Sequence, residues 1–78
     1  MPFALLDTVV LDRDLPEAGL LRGDLGAVVA VHGDTAIEVE FVAASGRTQA
    51  VVTLSVSDVR RVEDRDVVAV RSVDRAAG

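Results

Sequence analysis

Gly19-Leu-Leu-Arg-Gly-Asp-Leu-Gly-Ala-Val-Val-Ala-Val31 is the stretch on which the fold turns. Gly and Asp punctuate its first half, as a tight turn requires, and the second half is an unbroken apolar run of strand length. A strand apolar on both faces is central or covered, so the neighbouring segments are expected to wrap against residues 26–31. Periodicity cannot say which face of this strand is inside.

On the N-terminal side, Asp7-Thr-Val-Val-Leu11 is short, β-branched and bounded by charge, which predicts a first strand. Residues 12–24 then form a long loop broken by Pro16, Gly19 and Gly23. Loops of this length are uncommon in small domains unless they pack, so Leu15, Leu20 and Leu21 are expected to fold back onto the core. A helical turn over residues 16–21 is compatible with the sequence, though too short to stand alone.

On the C-terminal side, His32-Gly-Asp-Thr35 predicts a turn. Ile37-Glu-Val-Glu-Phe-Val42 alternates, with Ile37, Val39 and Phe41 inward and Glu38 and Glu40 outward. Across the loop Ala44-Ser-Gly-Arg47, Thr48-Gln-Ala-Val-Val-Thr-Leu54 returns as the partner strand. The register sets Phe41 against Ala50, Val39 against Val52 and Ile37 against Leu54. Glu40 then opposes Val51, and Glu38 opposes Thr53. A slip of one residue would turn both glutamates to the core side. Residues 55–58 suggest one 3₁₀ turn with Ser57 and Asp58 satisfying local amides, and residues 59–62 a short closing strand. Five short strands with one long first loop describe an all-β, small five-stranded SH3-like barrel over residues 1–62. Residues 63–78 are a charged linker, an extra C-terminal strand at Val67-Val-Ala-Val-Arg-Ser-Val73, and a frayed tail.

Composition narrows the function. A chain of 78 residues makes one small domain that buries only about 60% of its unfolded surface. It has no cysteine and one histidine, so disulfides and a zinc site are absent as supports; no cofactor or metal is expected, and self-association remains. The net charge is −5, with arginine but no lysine. An acidic surface disfavours phosphate backbones and anionic membranes. Arginine in place of lysine, with abundant Ala and Val, is the usage of a GC-rich bacterial gene. Met1-Pro-Phe-Ala-Leu-Leu-Asp7 lacks a basic region before its apolar residues, and no run approaches the about 20 residues of a membrane helix. A cytoplasmic location is expected.

No catalytic constellation emerges, and the chain is expected to be no enzyme. His32 lies in a turn without a nucleophile at motif spacing or a second metal ligand. Gly19, Gly23 and Gly26 match neither phosphate-cradling fingerprint and read as turn glycines. Asp12, Asp14 and Glu17 form an acidic loop cluster, first a solvated loop and alternatively a partner contact. Arg60 and Arg61, with Arg47, could meet an anionic group, but pairing with Glu38, Glu40 or Glu63 is the plainer expectation. With only two phenylalanines, neither a PxxP groove nor a base-stacking platform is available. Candidate partner-binding residues are therefore Asp12, Asp14, Glu17, Arg60 and Arg61. Val67, Val68, Val70 and Val73 are the candidate dimer strand, apolar on both faces.

Leu6-Asp-Thr-Val-Val-Leu-Asp-Arg-Asp-Leu-Pro-Glu-Ala-Gly-Leu20 followed by Gly23-Asp-Leu-Gly-Ala-Val-Val29 carries a resemblance, together with Ile37-Glu-Val-Glu-Phe41, Val51-Val-Thr-Leu54 and Ser57-Asp-Val-Arg60. These blocks resemble the small bacterial family catalogued as domain of unknown function 4926, over about residues 3–62. The resemblance implies an SH3-like fold and assigns no catalytic residue. Gly23-Asp-x-Gly-x-Val28 is more loosely similar to the KOW motif of ribosomal and transcription-factor barrels, and to SH3-like subunits of nitrile hydratases. The expected function is a non-enzymatic protein-interaction module, such as an antitoxin-like or immunity-like inhibitor or an accessory subunit acting on a neighbouring gene's product. The alternative is a KOW-like nucleic-acid or ribosome-associated domain.

Overall fold

In the computed structural model, residues 3–73 are described. Five strands run β1 (Thr8–Leu11), β2 (Leu25–His32), β3 (Ala36–Val42), β4 (Thr48–Ser55) and β5 (Val59–Arg61). They form one antiparallel sheet in the order β4-β3-β2-β1-β5, with single 3₁₀ turns at Pro16–Ala18 and Val56–Asp58. No α-helix occurs among the described residues, so the chain is all-β as expected.

The connections force the sheet to curl. β4 and β5 are its two edges, about 19 Å apart were it flat. Only the turn Val56–Asp58 joins them, and from Ser55 to Val59 a chain reaches about 14 Å at most. The curl brings both edges around one core of Val9, Leu11, Val28, Ile37, Val39, Phe41, Leu54 and Val59, with Phe3, Leu15 and Leu20. The sheet nevertheless stays open, because β4 and β5 form no ladder with each other. This corrects the expectation of a closed barrel: residues 56–58 are spent on the turn, and β5 is left with only three residues, all paired to β1.

The β3–β4 register is the expected one at every pair named above. β2 explains its own lack of alternation. Val28 opposes Val39 and Ala30 opposes Glu38, so Val29 is an extra residue in a bulge. The bulge switches the inward phase, and Val28 and Val31 both pack on the core while Val29 points to solvent. β4 carries a second bulge, since Phe41 opposes Ala50 but Val42 opposes Thr48, which leaves Gln49 over.

The long loop packs back as a small hairpin. Leu15 and Leu20 exchange backbone hydrogen bonds of 2.9 and 3.1 Å, and both are buried. Gly19 closes the 3₁₀ turn at φ 72°, a backbone state that favours glycine. Leu21 departs from expectation: its amide is held by the Asp24 carboxylate at 2.9 Å, which leaves its side chain exposed. Gly26 is likewise no turn glycine, since it lies inside β2. At the other 3₁₀ turn, Ser55 accepts from the Ser57 amide and Asp58 accepts from the Ser55 amide, a reciprocal cap.

The extra C-terminal strand is not formed. After β5 the chain reverses in a turn in which the Asp66 amide donates to the Glu63 carbonyl at 3.0 Å. Residues 67–73 then pass as an irregular strap that joins no ladder. Side-chain clamps at both ends hold the strap over the outer face of the sheet, and its β-propensity finds no edge to pair with. Asp66 is tied to β5 and Arg71 to the entrance of β2, so the strap crosses β1 between them. Val10 records the crossing: it faces away from the core residues Val9 and Leu11 yet is only 6% exposed.

A candidate protein-interaction surface

The two clamps are arginine–carboxylate forks. Arg60 projects from β5 and donates to both carboxylate oxygens of Asp66, at 2.9 and 3.0 Å, with Glu63 3.8 Å away. Arg71 donates from Nε to Asp24 Oδ1 at 2.9 Å, from Nη2 to Asp24 Oδ2, and from Nη2 to the Gly19 carbonyl at 3.0 Å. Such bidentate pairs fix orientation as well as charge. Gln49, the extra residue of β4, donates to the Ala18 carbonyl at 3.4 Å and ties the long loop to the far side of the same space. Between strap, loop and sheet lies an open concavity of about 1260 Å³ whose walls include Val10, Leu25, Val42, Val62 and Arg47.

Electrostatics favour the clamped state. The Arg60 fork and the Glu63 amide hold the Asp66 carboxyl down at about 2, and Asp66 in turn raises Arg60. For Asp24, burial acts to raise the carboxyl pKa, but the Arg71 hydrogen bond, the Leu21 amide and the Arg71 charge together outweigh it and lower it. A carboxyl depressed in the folded state contributes fully above its unfolded value, about 3.9. For Asp66 that contribution is lost as pH falls from about 4 through about 2. The Asp66 carboxyl carbon is therefore expected to titrate by NMR with its midpoint near 2; a midpoint at the ordinary aspartate value would contradict the clamp.

Between the clamps, Val67, Val68 and Val70 stand 89%, 73% and 97% exposed. Val73 lies at the end of the strap beside Gly19. The four residues expected as a dimer strand thus sit on one strap, without strand structure in a single copy.

The acidic loop is partly tied up within the chain. Asp12 accepts from Arg22 Nε at 3.1 Å, Asp14 accepts the Arg22 amide at 2.8 Å, and Arg13 reaches Asp58 at 3.1 Å. Glu17 stands exposed on the 3₁₀ turn. Arg60 keeps one expected partner, Glu63, beside the unforeseen Asp66, whereas Arg61 departs from expectation. Arg61 lies 3.5 Å from Asp7 and stacks 5.0 Å from the centre of the Phe3 ring. Of the expected acidic partners only Glu63 is near, because Glu38 bonds His32 at 2.6 Å and Glu40 accepts from Thr48 at 2.6 Å. Adjacent positions on β5 point to opposite faces, which separates the two arginines.

The residues that sequence reasoning missed are Asp24, Asp66, Arg71 and Gln49. Arg71 had one visible signal, a single charge interrupting an apolar run. Its partner is 47 residues away, and no local pattern names it.

The two edges of the sheet differ sharply. β5 is three residues long and two of them are arginines, a protected edge. β4 is eight residues long, Thr-Gln-Ala-Val-Val-Thr-Leu-Ser, with no charge and no proline. Its far side joins no strand among the described residues, and Val51 is exposed on it.

Among the described residues no group of three or more His, Asp or Glu side chains is placed to hold a metal ion. Nor is any helix among them long and apolar enough to cross a membrane. No curated protein and no solved structure matches the chain. The family described as Domain of unknown function (DUF4926) matches residues 5–61, ending where β5 ends, and the chain belongs to that family.

Proposed function

We propose that this domain is a non-enzymatic protein-interaction module that accepts an extended segment of a partner protein along the free edge of β4. The observation that carries this reading is the unprotected edge itself. Natural sheets blunt their edges with charge, proline, brevity or cover, and β5 shows that this chain does so on its other side. An edge left long and uncharged offers a row of backbone donors and acceptors to an incoming strand, with side-chain contacts adding selectivity. Glu38 and Glu40 lie one strand in from that edge, on its outer face.

The nucleic-acid alternative has less support. The net charge is −5, and Arg13, Arg22, Arg60 and Arg71 each pair with a carboxylate of the same chain. Counterion release needs cations that can be turned towards phosphates.

The test is a pair of immobilised baits, wild type and V51K/T53K, exposed to extract of the source cells. The lysines oppose Glu40 and Glu38 on β3, so the variant gains cross-strand charge pairs and folds while its edge becomes charged. A protein retained by wild type and lost from the variant is the expected result. Equal retention by both baits, or none by either when the wild type sediments as a monomer, refutes the edge reading.

A further inference from the structure

We infer that the extended segment taken up by the β4 edge is the strap of a second copy, residues 67–70, exchanged reciprocally in a two-fold dimer. The inference rests on the edge reading above and names its occupant. One chain carries both halves of a strand-addition contact. The edge of β4 lacks a partner, and Val67, Val68, Ala69 and Val70 enter no hydrogen bond among the described residues. The strap has the composition of a buried strand, yet three of its four residues are more than 70% exposed valines. In its own copy it lies over the outer face of β1 and forms no ladder with β4.

Two chains of net charge −5 repel, and β4 and residues 67–70 are two uncharged strips along which a second copy can approach with least repulsion. The clamps at Asp66 and Arg71 fix the two ends of the segment, which lowers the ordering cost of pairing it. Edge and strap are different surfaces, so a single contact would propagate into an open chain of molecules. Reciprocal exchange about a two-fold axis closes it and doubles the buried surface.

Sedimentation of the full chain tests this with two variants and their mixture. V51K/T53K keeps the strap and blocks the edge. V68P/A69P keeps the edge and removes donors at adjacent strap positions, so whichever alternation faces the partner loses one. Wild type is expected to sediment as a dimer and each variant as a monomer. An equimolar mixture of the two variants should regain a dimer, because one intact edge then meets one intact strap. A dimer abolished by V51K/T53K but untouched by V68P/A69P overturns the strap as occupant and leaves the edge reading standing. A dimer that survives in both variants, or a monomeric wild type, overturns the inference, and the extract experiment alone then decides the edge reading.

Discussion

Phe41→Ala is expected to bring the domain close to unfolding in water. Removing a buried phenylalanine costs about 3–5 kcal/mol, from lost transfer energy and the cavity left behind. The whole stability of a chain this size is only about 4–12 kcal/mol. The sequence contains two phenylalanines and no tyrosine or tryptophan, and Phe41 is the larger contributor: it is 2% exposed and among the largest fully buried side chains. Its neighbours cannot collapse inward cheaply, because Gly26 and Val39 are fixed by ladders on β2 and β3. Urea unfolding followed by far-ultraviolet circular dichroism reads the effect, since the chain has no tryptophan. A midpoint shift equivalent to less than about 1 kcal/mol would show that Phe41 is not the centre of the core.

The same residue shows why part of the fold was legible. Between Glu38 and Glu40, Val39 has nowhere to face but inward, and Phe41 repeats the pattern. Two outward-facing, half-buried acids on one strand fix the register of two strands, and every predicted pair of β3 with β4 is found. β2 offers no such marker. Ala27, Val28, Val29 and Ala30 are all apolar, so a phase switch at Val29 leaves no trace in the pattern. Residues 67–73 failed for a different reason. Local β-propensity is high there, but a strand needs a neighbour, and the partner choice is made by Asp24 and Asp66 through arginine forks. Both ends of the acidic loop's pairing were visible as charges, yet only the folded loop shows that Arg22 serves Asp12 with its side chain and Asp14 with its amide.

The candidate surface follows from the strap and the β4 edge taken together. A segment with strand composition has been lifted off any edge, while an edge of strand composition has been left without a segment. Each is costly alone: exposed valines on the strap gain no burial, and unpaired donors on β4 gain only water. A chain with about 60% of its surface buried on folding has little stability in reserve to carry both. The proposed association would relieve both costs at once.

Gly26→Ala is expected to destabilise the domain by about 2 kcal/mol, although alanine is the better strand residue by about 0.5–1 kcal/mol. The position does not need glycine for its backbone, since Gly26 is not among the residues of positive φ. It needs glycine for space. A β-carbon there would lie 2.5 Å from Val39 Cγ1, 2.9 Å from Phe41 Cε1 and 3.1 Å from the Glu40 carbonyl oxygen. The first two are tips of side chains packed in the core, and the third is backbone held in a ladder, so relief requires β2 and β3 to part. Overpacking of this kind typically costs about 1–3 kcal/mol and here outweighs the propensity gain. The clash makes a second, sharper demand. Val39→Ala alone also destabilises, by about 2 kcal/mol, because Val39 is fully buried. In the double variant the new alanine methyl fills part of the space that Val39 vacates. Its loss should therefore fall short of the sum of the two by at least about 1 kcal/mol, a coupling expected only of residues in contact. Strict additivity in a urea-denaturation cycle would mean that Gly26 does not lie against Val39, and the packing of β2 on β3 would have to be redrawn.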